Sequence, residues 1–406
     1  MDSRTDLFAP ARDVASLSEA GGGNISDLIR PIAIFTRDMA AGGVTRVIVN
    51  LANGFARLAL PVDVVLARAR GPHLVELESR VRVVDLAAGR TSTSLPAMMR
   101  YLRSRKPAAI LSCEETANVT AIVANRLTGR STRVVVSTHN EVSVRARHAP
   151  SIRMRTVPYL ARAFYRSADA VVAVSEGVAD DLAAITGLRR DRIQVIYNPI
   201  DLNAIREMAT RPMDPSQCDP SWFDPDQVPV IVAAGRLARQ KDFPTLIRAF
   251  DRLRQRRHVR LLILGEGPER AALTGLIRGF DWAQDVALPG FVANPYPYIA
   301  RAAAFGLSSA WEGFGYVLVE ALALGVPVVA TDCPSGPAEI LAGGRYGQLV
   351  PVGDAESFAS ALESALDRPG CKAERLERAA AFTTERIVPK YLHMLGLHED
   401  AIRCPK

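Results

Sequence analysis

The 406-residue sequence is poor in cysteine and contains no long apolar segment. Its five cysteines are widely spaced, and no pair has the spacing of a metal site or a redox motif. No segment approaches the ~18 consecutive apolar residues that a membrane-spanning helix requires. The first residues include Asp2 and Asp6 and lack the apolar core of a secretory signal. We therefore expect a cytoplasmic protein with reduced thiols.

Two ligand-binding patterns are also missing. Histidines and carboxylates do not cluster at metal-ligand spacing, so we expect no metal ion, and nothing in the sequence predicts another cofactor. A nicotinamide-binding loop would show Gly-x-Gly-x-x-Gly after a strand and an acidic residue about twenty positions later. Gly265-Glu266-Gly267 lacks the third glycine, and Gly42-Gly43 lacks the spacing. These absences argue against a dehydrogenase.

The net charge of +7 is unevenly distributed along the chain. Residues 100–170 carry thirteen arginines and lysines against four acidic residues. Within this region, residues 142–166 interleave arginines with apolar and aromatic side chains, as interfacial helices do, although Pro150 and Pro158 interrupt any single long helix. We expect reversible peripheral association with an anionic membrane at its cytoplasmic face, and no nucleic-acid partner. The alternative is a solvated basic surface whose arginines pair with nearby acids.

Short apolar segments alternate with helix-length segments in two parts of the chain, which predicts an α/β protein with two doubly wound parallel-sheet domains. We predict a flexible tail at 1–28, a first domain at 29–202, a proline-rich linker at 203–227, a second domain at 228–383 and a C-terminal helix at 384–406 that crosses back to the first domain. Ligands of such sheets bind outside the carboxyl ends of the strands. The active site should therefore lie in a cleft between the domains.

Two cations follow the first strand of the second domain. Arg236 and Lys241 lie on a short loop before a helix for which Asp242 is the expected N-cap. An arginine fork and a freely rotating lysine charge at a strand end suit a diphosphate. Each cation taken alone is as readily explained as solvated surface, but their common position favours an anion site.

A second anion-binding element follows at residues 312–320. Gly313-Phe314-Gly315 allows a close backbone approach to a ligand and leads into a helix, whose N-terminus attracts anions. Glu312 lies in this loop and Glu320 in the helix. Without further context, Glu312 could instead be a capping carboxylate and Glu320 an exposed helical residue.

Several strings occur together in one order, and through them the sequence resembles the retaining glycosyltransferases of family 4, also called glycosyl transferases group 1. In the second half these strings are Ala234-Gly235-Arg236-Leu237 with Lys241, Leu264-Gly265-Glu266-Gly267-Pro268, Leu288-Pro289-Gly290-Phe291-Val292, Glu312 with Glu320, and Gly325-Val326-Pro327-Val328-Val329-Ala330. Looser matches in the first half are Gly42-Gly43-Val44, Ser137-Thr138-His139-Asn140, Val172-Ala173-Val174-Ser175 and Asn198-Pro199-Ile200-Asp201. The resemblance implies GT-B architecture, with two Rossmann-like domains facing across a cleft.

The resemblance also implies how a nucleotide-sugar donor is held. Arg236 and Lys241 would bind its diphosphate, and Glu320 would accept hydrogen bonds from its ribose. The turn of Phe291 and Val292 would flank its base.

By the same resemblance, Glu312 and the backbone of the glycine loop would contact the transferred sugar. This loop comprises Gly313, Phe314 and Gly315, and Gly265 would be a further donor-binding residue. On the first domain, Gly43 would approach the phosphates and His139 would lie near the anomeric carbon. We thus expect catalytic roles for His139, Glu312, Arg236 and Lys241.

The function implied is metal-independent transfer of a sugar, with retention at the anomeric carbon, from a nucleotide-diphosphate sugar to a glycan or lipid-linked acceptor in polysaccharide biosynthesis. Uridine diphosphate is the expected leaving nucleotide. Two alternatives stay open at this point. A nucleotide-sugar epimerase of the same architecture would share the diphosphate site, and a non-catalytic nucleotide-sugar-binding protein would share the fold.

Overall fold

A computed structural model describes residues 30–40, 42–149, 151–224 and 228–397. The predicted tail at 1–28 and residues 398–406 of the predicted C-terminal segment lie outside these residues. The described chain forms two sheets in which every pairing is parallel. Helices cover both sheets, so the central strands are buried along their whole length.

The first sheet has seven strands in the order β3-β2-β1-β4-β5-β6-β7. The strands are β1 Ile32–Thr36, β2 Val62–Leu66, β3 Val81–Asp85, β4 Ala109–Cys113, β5 Arg133–Thr138, β6 Ala170–Ala173 and β7 Ile193–Val195. The helices between them are α1 Gly43–Arg57, α2 Leu95–Arg105, α3 Glu115–Leu127, α4 Val142–Arg147, α5 Ile152–Arg155, α6 Val157–Phe164 and α7 Glu176–Thr186. The strand order places the loops after β1, β2 and β4 side by side.

The second sheet has six strands in the order β10-β9-β8-β11-β12-β13. The strands are β8 Val230–Ala234, β9 Arg260–Leu264, β10 Val286–Gly290, β11 Ala304–Leu307, β12 Val328–Thr331 and β13 Gln348–Val350. The helices are α8 Leu202–Ala209, α9 Phe243–Arg256, α10 Arg270–Arg278, α11 Tyr296–Ala300, α12 Tyr316–Ala323, α13 Pro337–Ile340, α14 Ala355–Asp367, α15 Lys372–Ala380 and α16 Thr384–Met394. The predicted class, two Rossmann-like parallel-sheet domains, is confirmed.

The proline-rich segment 203–227 differs from the unpacked linker that its composition predicts. Most of α8 lies within it, and the Asn294 side chain donates a 2.8 Å hydrogen bond to the carbonyl of Met208. The backbone N–H of Asp214 donates to the Tyr298 hydroxyl at 2.9 Å. Buried side chains such as Ile205 and Cys218 supply the packing that the prolines alone do not suggest.

Asp242 occupies the N-cap position of α9, as predicted, but its side chain does not cap the helix. Asp242 adopts φ 42°, and its side chain makes no capping bond to the helix backbone. Its carboxylate instead accepts a 2.6 Å hydrogen bond from the Thr245 hydroxyl. The left-handed backbone at Asp242 departs from the extended conformation that N-cap residues usually adopt.

The C-terminal helix α16 lies against the first sheet's layer. Ile387, Val388 and Tyr391 are buried in the same apolar cluster as α1 and β1. A Cβ placed on Gly54 of α1 would lie 2.6 Å from Val388, so the two helices approach at a position that excludes a side chain. No helix within the described residues is both long and apolar enough to cross a membrane.

Candidate active site

A cavity of about 390 Å³ lies between the two sheets, at the carboxyl ends of their strands. It brings together every predicted site residue except Gly265, from both domains. The predicted residues that line it are Gly43, His139, Arg236, Lys241, Phe291, Val292, Glu312, Gly313, Phe314, Gly315 and Glu320. Residues separated by up to 277 positions in the sequence therefore share one space.

Gly265 does not line this cavity. A Cβ at Gly265, which has φ 150°, would lie 1.9 Å from the carbonyl oxygen of Gly235. The backbone N–H of Gly235 also donates a 2.9 Å hydrogen bond to the carbonyl of Leu264. Gly265 thus allows two loops to pack in contact and supports the loop that carries Arg236.

The two predicted cations differ in their surroundings. Lys241 forms an ion pair with Glu312, and both side chains are largely buried. The same Glu312 oxygen accepts a 2.6 Å hydrogen bond from the hydroxyl of Ser309. Arg236 is exposed and has no ion-pair partner among the described residues. Lys241 and Glu312 are therefore held in place, whereas the Arg236 guanidinium faces the cavity with its donors free for an anion.

The glycine loop brings the N-terminus of α12 to the cavity wall. Gly315 precedes the helix with φ 90°, a conformation that favours glycine. A Cβ on Gly313 would lie 1.9 Å from the carbonyl oxygen of His139, so only glycine lets this loop touch the first domain. The first turn of a helix leaves N–H groups without helical partners, and here they open onto the cavity.

Glu320 lies deeper in the cavity and is 7% exposed. Its carboxylate accepts a 2.6 Å hydrogen bond from the hydroxyl of Tyr296. Burial raises the pKa of Glu320, while Arg46 and the Tyr296 hydroxyl act in the opposite direction. One carboxylate oxygen thus already has a protein partner, and the other remains available to a ligand hydroxyl.

His139 is buried at the first-domain wall of the cavity. Its Nε2 lies 3.1 Å from the Ser137 hydroxyl, and its Nδ1 has no hydrogen-bond partner among the described residues. Burial lowers the pKa of His139 to about 4, and the nearby Asn198 side chain, whose Oδ1 makes no hydrogen bond within the described residues, only partly opposes this effect. His139 is therefore a neutral imidazole at neutral pH, and it can exchange a hydrogen bond but supplies no positive charge.

Two further predicted residues lie at the cavity rim. Gly43 begins α1, and a Cβ there would contact the Tyr316 Cβ at 3.6 Å. Phe291 is 52% exposed, with its ring beside Val292 at the opening. An exposed aromatic side chain at a cavity mouth offers a face for stacking a planar group.

Sequence reasoning missed several polar residues in the site. Arg46 of α1 lines the cavity and forms an ion pair with Glu76, which also bonds to His73. Burial alone would lower the pKa of Arg46, but Tyr296, Glu320 and Glu76 together raise it. The sequence does contain a signal for Arg46. The apolar residues of α1 mark the face that packs on the core, and Arg46 is a charged residue on the other face of the helix, just after the glycine turn. Tyr296 carries no comparable signal in the sequence.

Direct hydrogen bonds join the two domains around the cavity. Ser175 donates from its hydroxyl to the carbonyl of Gly313 at 2.6 Å. The Glu339 carboxylate accepts the backbone N–H of Glu176 at 3.0 Å, at the first turn of α7. The Tyr316 hydroxyl donates to the carbonyl of Pro199 at 2.7 Å. The structure thus describes a closed cleft.

Within the described ranges, no group of three or more His, Cys, Asp or Glu side chains is placed to hold a metal ion. The cations at the cavity are instead arginine and lysine side chains. Two facing parallel-sheet domains, with a cavity between them that is lined by cations and by the N-terminus of a helix, have the GT-B architecture.

Comparison with known proteins identifies the family. Residues 228–368 match the model for "Glycosyl transferases group 1", and residues 41–204 match the model for "Glycosyltransferase Family 4". The chain belongs to this glycosyltransferase family. It is 32% identical over 284 residues, which are 69% of this chain and 74% of the relative, to a Campylobacter jejuni protein named N-acetylgalactosamine-N,N'-diacetylbacillosaminyl-diphospho-undecaprenol 4-alpha-N-acetylgalactosaminyltransferase. A second relative is the Rhizobium meliloti lipopolysaccharide core biosynthesis glycosyltransferase LpsE. The two sequences are 30% identical over 57% of this chain and 66% of the relative.

Solved structures show the same architecture. Anabaena HepE in complex with UDP aligns with a TM-score of 0.72 and 20% identity over 90% of this chain and 99% of that one. Sucrose-phosphate synthase from Thermosynechococcus elongatus aligns with a TM-score of 0.75 and 21% identity over 90% and 98% of the two chains. At these identities the likeness supports the fold, and the predicted glycosyltransferase class rests on the family match.

Proposed function

We propose that the protein transfers a sugar from a nucleotide-diphosphate sugar, with UDP as the leaving nucleotide, to a hydroxyl of a glycan or lipid-linked acceptor. The transfer retains the anomeric configuration and needs no metal ion. The observation that carries this proposal is the single cavity in which Arg236, Lys241 and the N-terminus of α12 face His139 across the closed cleft.

The donor diphosphate would lie against the second-domain wall. Arg236 has free donors, and the α12 N-terminus adds oriented N–H groups in a partly buried site. Lys241 is already fixed beside Glu312 by their ion pair. Charge that develops on the departing phosphate therefore meets groups that need little reorganisation, which lowers the barrier more than the same groups would in water.

The nucleotide and the sugar would extend in opposite directions from the diphosphate. Glu320 would accept a ribose hydroxyl on the oxygen that Tyr296 does not use, and the exposed Phe291 ring would flank the base. Glu312, held by Lys241 and Ser309, would accept hydrogen bonds from sugar hydroxyls. These contacts would fix the anomeric carbon between the two domains.

The chemical step would then occur on one face of the sugar. The bond from the anomeric carbon to the diphosphate oxygen breaks, and a bond to the acceptor oxygen forms on the same face. The acceptor proton passes to the departing phosphate oxygen. Neutral His139 would exchange a hydrogen bond with a sugar hydroxyl through its unpartnered Nδ1. No step requires a charged imidazole.

We further propose that the acceptor is presented at the cytoplasmic face of an anionic membrane. On α5 and α6, Ile152 is 80% exposed and Tyr159 is 74% exposed. Arg155 and Arg162 are exposed near them. Apolar side chains interleaved with arginines suit an anionic interface, where each basic residue contributes roughly 1 kcal/mol. The name of the Campylobacter jejuni relative specifies a diphospho-undecaprenol, which favours a membrane-bound acceptor.

Flotation with neutral and anionic vesicles at low and moderate salt tests this association. We expect the protein to float with anionic vesicles at low salt, and less at moderate salt. The variant Ile152→Ser/Tyr159→Ser should float less, whereas Leu127→Ser, at another exposed apolar residue, should not change flotation. Recovery of the protein in the lipid-free fraction under all four conditions would leave a soluble acceptor as the better proposal.

A donor panel tests the activity. The protein is incubated with UDP-, GDP- and ADP-linked sugars, with and without lipid-linked or soluble acceptors and with and without EDTA, and nucleotide release is followed by mass spectrometry. We expect release of UDP, unaffected by EDTA, that rises with acceptor, and a product with the donor's anomeric configuration by NMR. An altered sugar nucleotide formed without acceptor would indicate an epimerase, and absence of any turnover would indicate a binding protein.

A further inference from the structure

A second cavity, of about 510 Å³, opens on the first domain beside the active site. Loops that follow β1, β2, β3 and β4 form its walls, and α5 and α6 close one side. The reaction described above uses none of its residues. Its position at the carboxyl ends of the strands is the usual place for a ligand in such a sheet.

Arginines dominate this second cavity. The charged side chains that line it are Arg37, Arg68, Arg70, Arg90 and Arg145 on the basic side and Asp38, Glu114 and Glu115 on the acidic side. Asp38 pairs with Arg37 and Arg70, and Glu115 pairs with Arg145 at 2.8 Å. Arg68 and Arg90 are exposed and have no ion pair within the described residues. Two guanidinium groups thus remain for an anion with several oxygens.

Glu114 adds an unusual feature to the cavity wall. It adopts φ 104°, which a residue with a Cβ rarely does, at the position before α3. One of its carboxylate oxygens accepts the Thr36 hydroxyl at 3.3 Å. Burial, followed by the nearby Glu115, raises the pKa of Glu114, so this carboxyl opposes an incoming anion less than an ordinary carboxylate would.

Two loops link this cavity to the active site. The loop after β1 places Arg37 in the second cavity and Gly42 in the first. The chain segment after β2 places Arg70 in the second cavity and His73 in the first. The two spaces are therefore neighbours along one edge of the sheet.

The opposite wall of the second cavity is apolar. Met154, Val157 and Leu160 line it, and the exposed Ile152 and Tyr159 continue from them over the surface. The first domain thus carries three adjoining kinds of surface, namely its side of the sugar-transfer cleft, the arginine cavity and an apolar face. A sugar that is joined to a lipid through a diphosphate has three parts in the matching order: the sugar, the diphosphate and the hydrocarbon chain.

We propose that the arginine cavity binds the diphosphate of a lipid-diphosphate-linked acceptor, with Arg68 and Arg90 as its main ligands. The apolar residues of α5 and α6 hold the first part of the lipid chain, and the acceptor sugar reaches towards His139. This inference rests on the proposed glycosyltransferase function and deepens it by naming the acceptor class.

The test is calorimetric titration with geranyl diphosphate, a soluble stand-in for the acceptor's diphosphate and first lipid units. UDP is titrated first and then kept saturating, so that the donor site is filled. We expect Arg68→Ala/Arg90→Ala to weaken geranyl diphosphate binding at least about tenfold, because hydrogen bonds to charged groups contribute more than neutral ones. The control Arg192→Ala, at an exposed arginine remote in sequence from this cavity, should bind as the unmodified protein does.

The outcomes separate the two proposals. Absence of UDP binding would contradict the proposed function. Normal UDP binding with unchanged geranyl diphosphate affinity in Arg68→Ala/Arg90→Ala would overturn the cavity assignment. Inorganic diphosphate is the second probe, and we expect it to bind at least about tenfold more weakly than geranyl diphosphate, since it buries no apolar surface. Equal affinity for both probes would overturn the lipid-linked occupant.

Discussion

The two sides of the cleft differ in how their polar groups are engaged. On the second domain, Lys241 pairs with Glu312, and the Tyr296 hydroxyl bonds to Glu320. On the first domain, His139 is neutral with an unpartnered Nδ1. On the second domain, Lys241 and Glu320 are thus already held by protein partners and Arg236 stays free for an anion, whereas on the first domain His139 offers a hydrogen-bonding group without charge.

The largest effect is expected on the second-domain side. Removal of one cationic donor to the departing diphosphate, by Arg236→Ala or Lys241→Ala, should lower transfer at least ~100-fold. Arg236 is exposed, so its variant should keep the stability of the unmodified protein. Initial rates at saturating donor and acceptor measure the effect. The control is Arg239→Ala, in the same loop but outside the cavity. Near-normal turnover in Arg236→Ala would contradict the proposal that Arg236 binds the diphosphate.

On the first-domain side, His139 should make stability depend on pH. Its pKa in the folded protein is lowered from 6.5 to about 4, so between these values the unfolded chain binds more protons. Stability should therefore rise with pH in this window, and the free energy of unfolding should fall by about 2 kcal/mol from pH 7 to pH 5 through this residue alone. Urea unfolding of the protein and of His139→Asn measures it. An identical pH slope in both would show that His139 is not buried as a neutral ring.

Glu320→Ala tests the deeper part of the donor wall. We expect the donor KM to rise about tenfold while kcat changes little, because ribose contacts are made equally in the ground and transition states. Steady-state kinetics with varied donor separates the two parameters. Tyr296→Phe, which leaves the carboxylate in place, should have a smaller effect on KM. An unchanged donor KM in Glu320→Ala would exclude Glu320 from the ribose site.

The smallest effect is expected where the two sides meet. Glu339 accepts backbone N–H groups of Glu176 and Gly177 across the cleft. Glu339→Ala should shift the protein towards an open cleft and raise the donor KM a few-fold, because both of these charge-assisted contacts are lost. Glu363→Ala, at an exposed ion pair with Arg256 outside the cleft, is the control. A more compact particle in small-angle scattering for Glu339→Ala would contradict this closing role.

The two sides also differ in how far the sequence predicts them. The second-domain wall is made of short sequence motifs such as Gly313-Phe314-Gly315. Its glycines are required by a positive φ or by a close approach of another chain segment, so the motif can be recognised from the sequence alone. The arginine cavity joins Arg37, Arg68 and Arg90, which follow three different strands. These arginines are close together only because their strands are neighbours in the sheet, so no short sequence motif predicts the cavity.

The strands β3 and β13 have a weaker signal in the sequence than the central strand β1. The strand β3 is an edge strand in which Arg82 and Val83 are both exposed, so it lacks an alternating pattern. The strand β13 has only three residues, Gln348–Val350, beside a glycine-rich turn. The strand β1 is buried on both faces, and it is visible in the sequence because its first four residues form a continuous apolar segment.

Titration of UDP into three proteins tests the division between the two sides most directly: the unmodified chain, Arg236→Ala/Lys241→Ala and Arg68→Ala/Arg90→Ala. We expect UDP to bind the unmodified chain and the first-domain variant with affinities within about twofold of each other. Binding should weaken by at least about a hundredfold in the second-domain variant, since two charge-assisted contacts to the diphosphate are lost. UDP binding that survives in Arg236→Ala/Lys241→Ala, or that disappears in Arg68→Ala/Arg90→Ala, would contradict it.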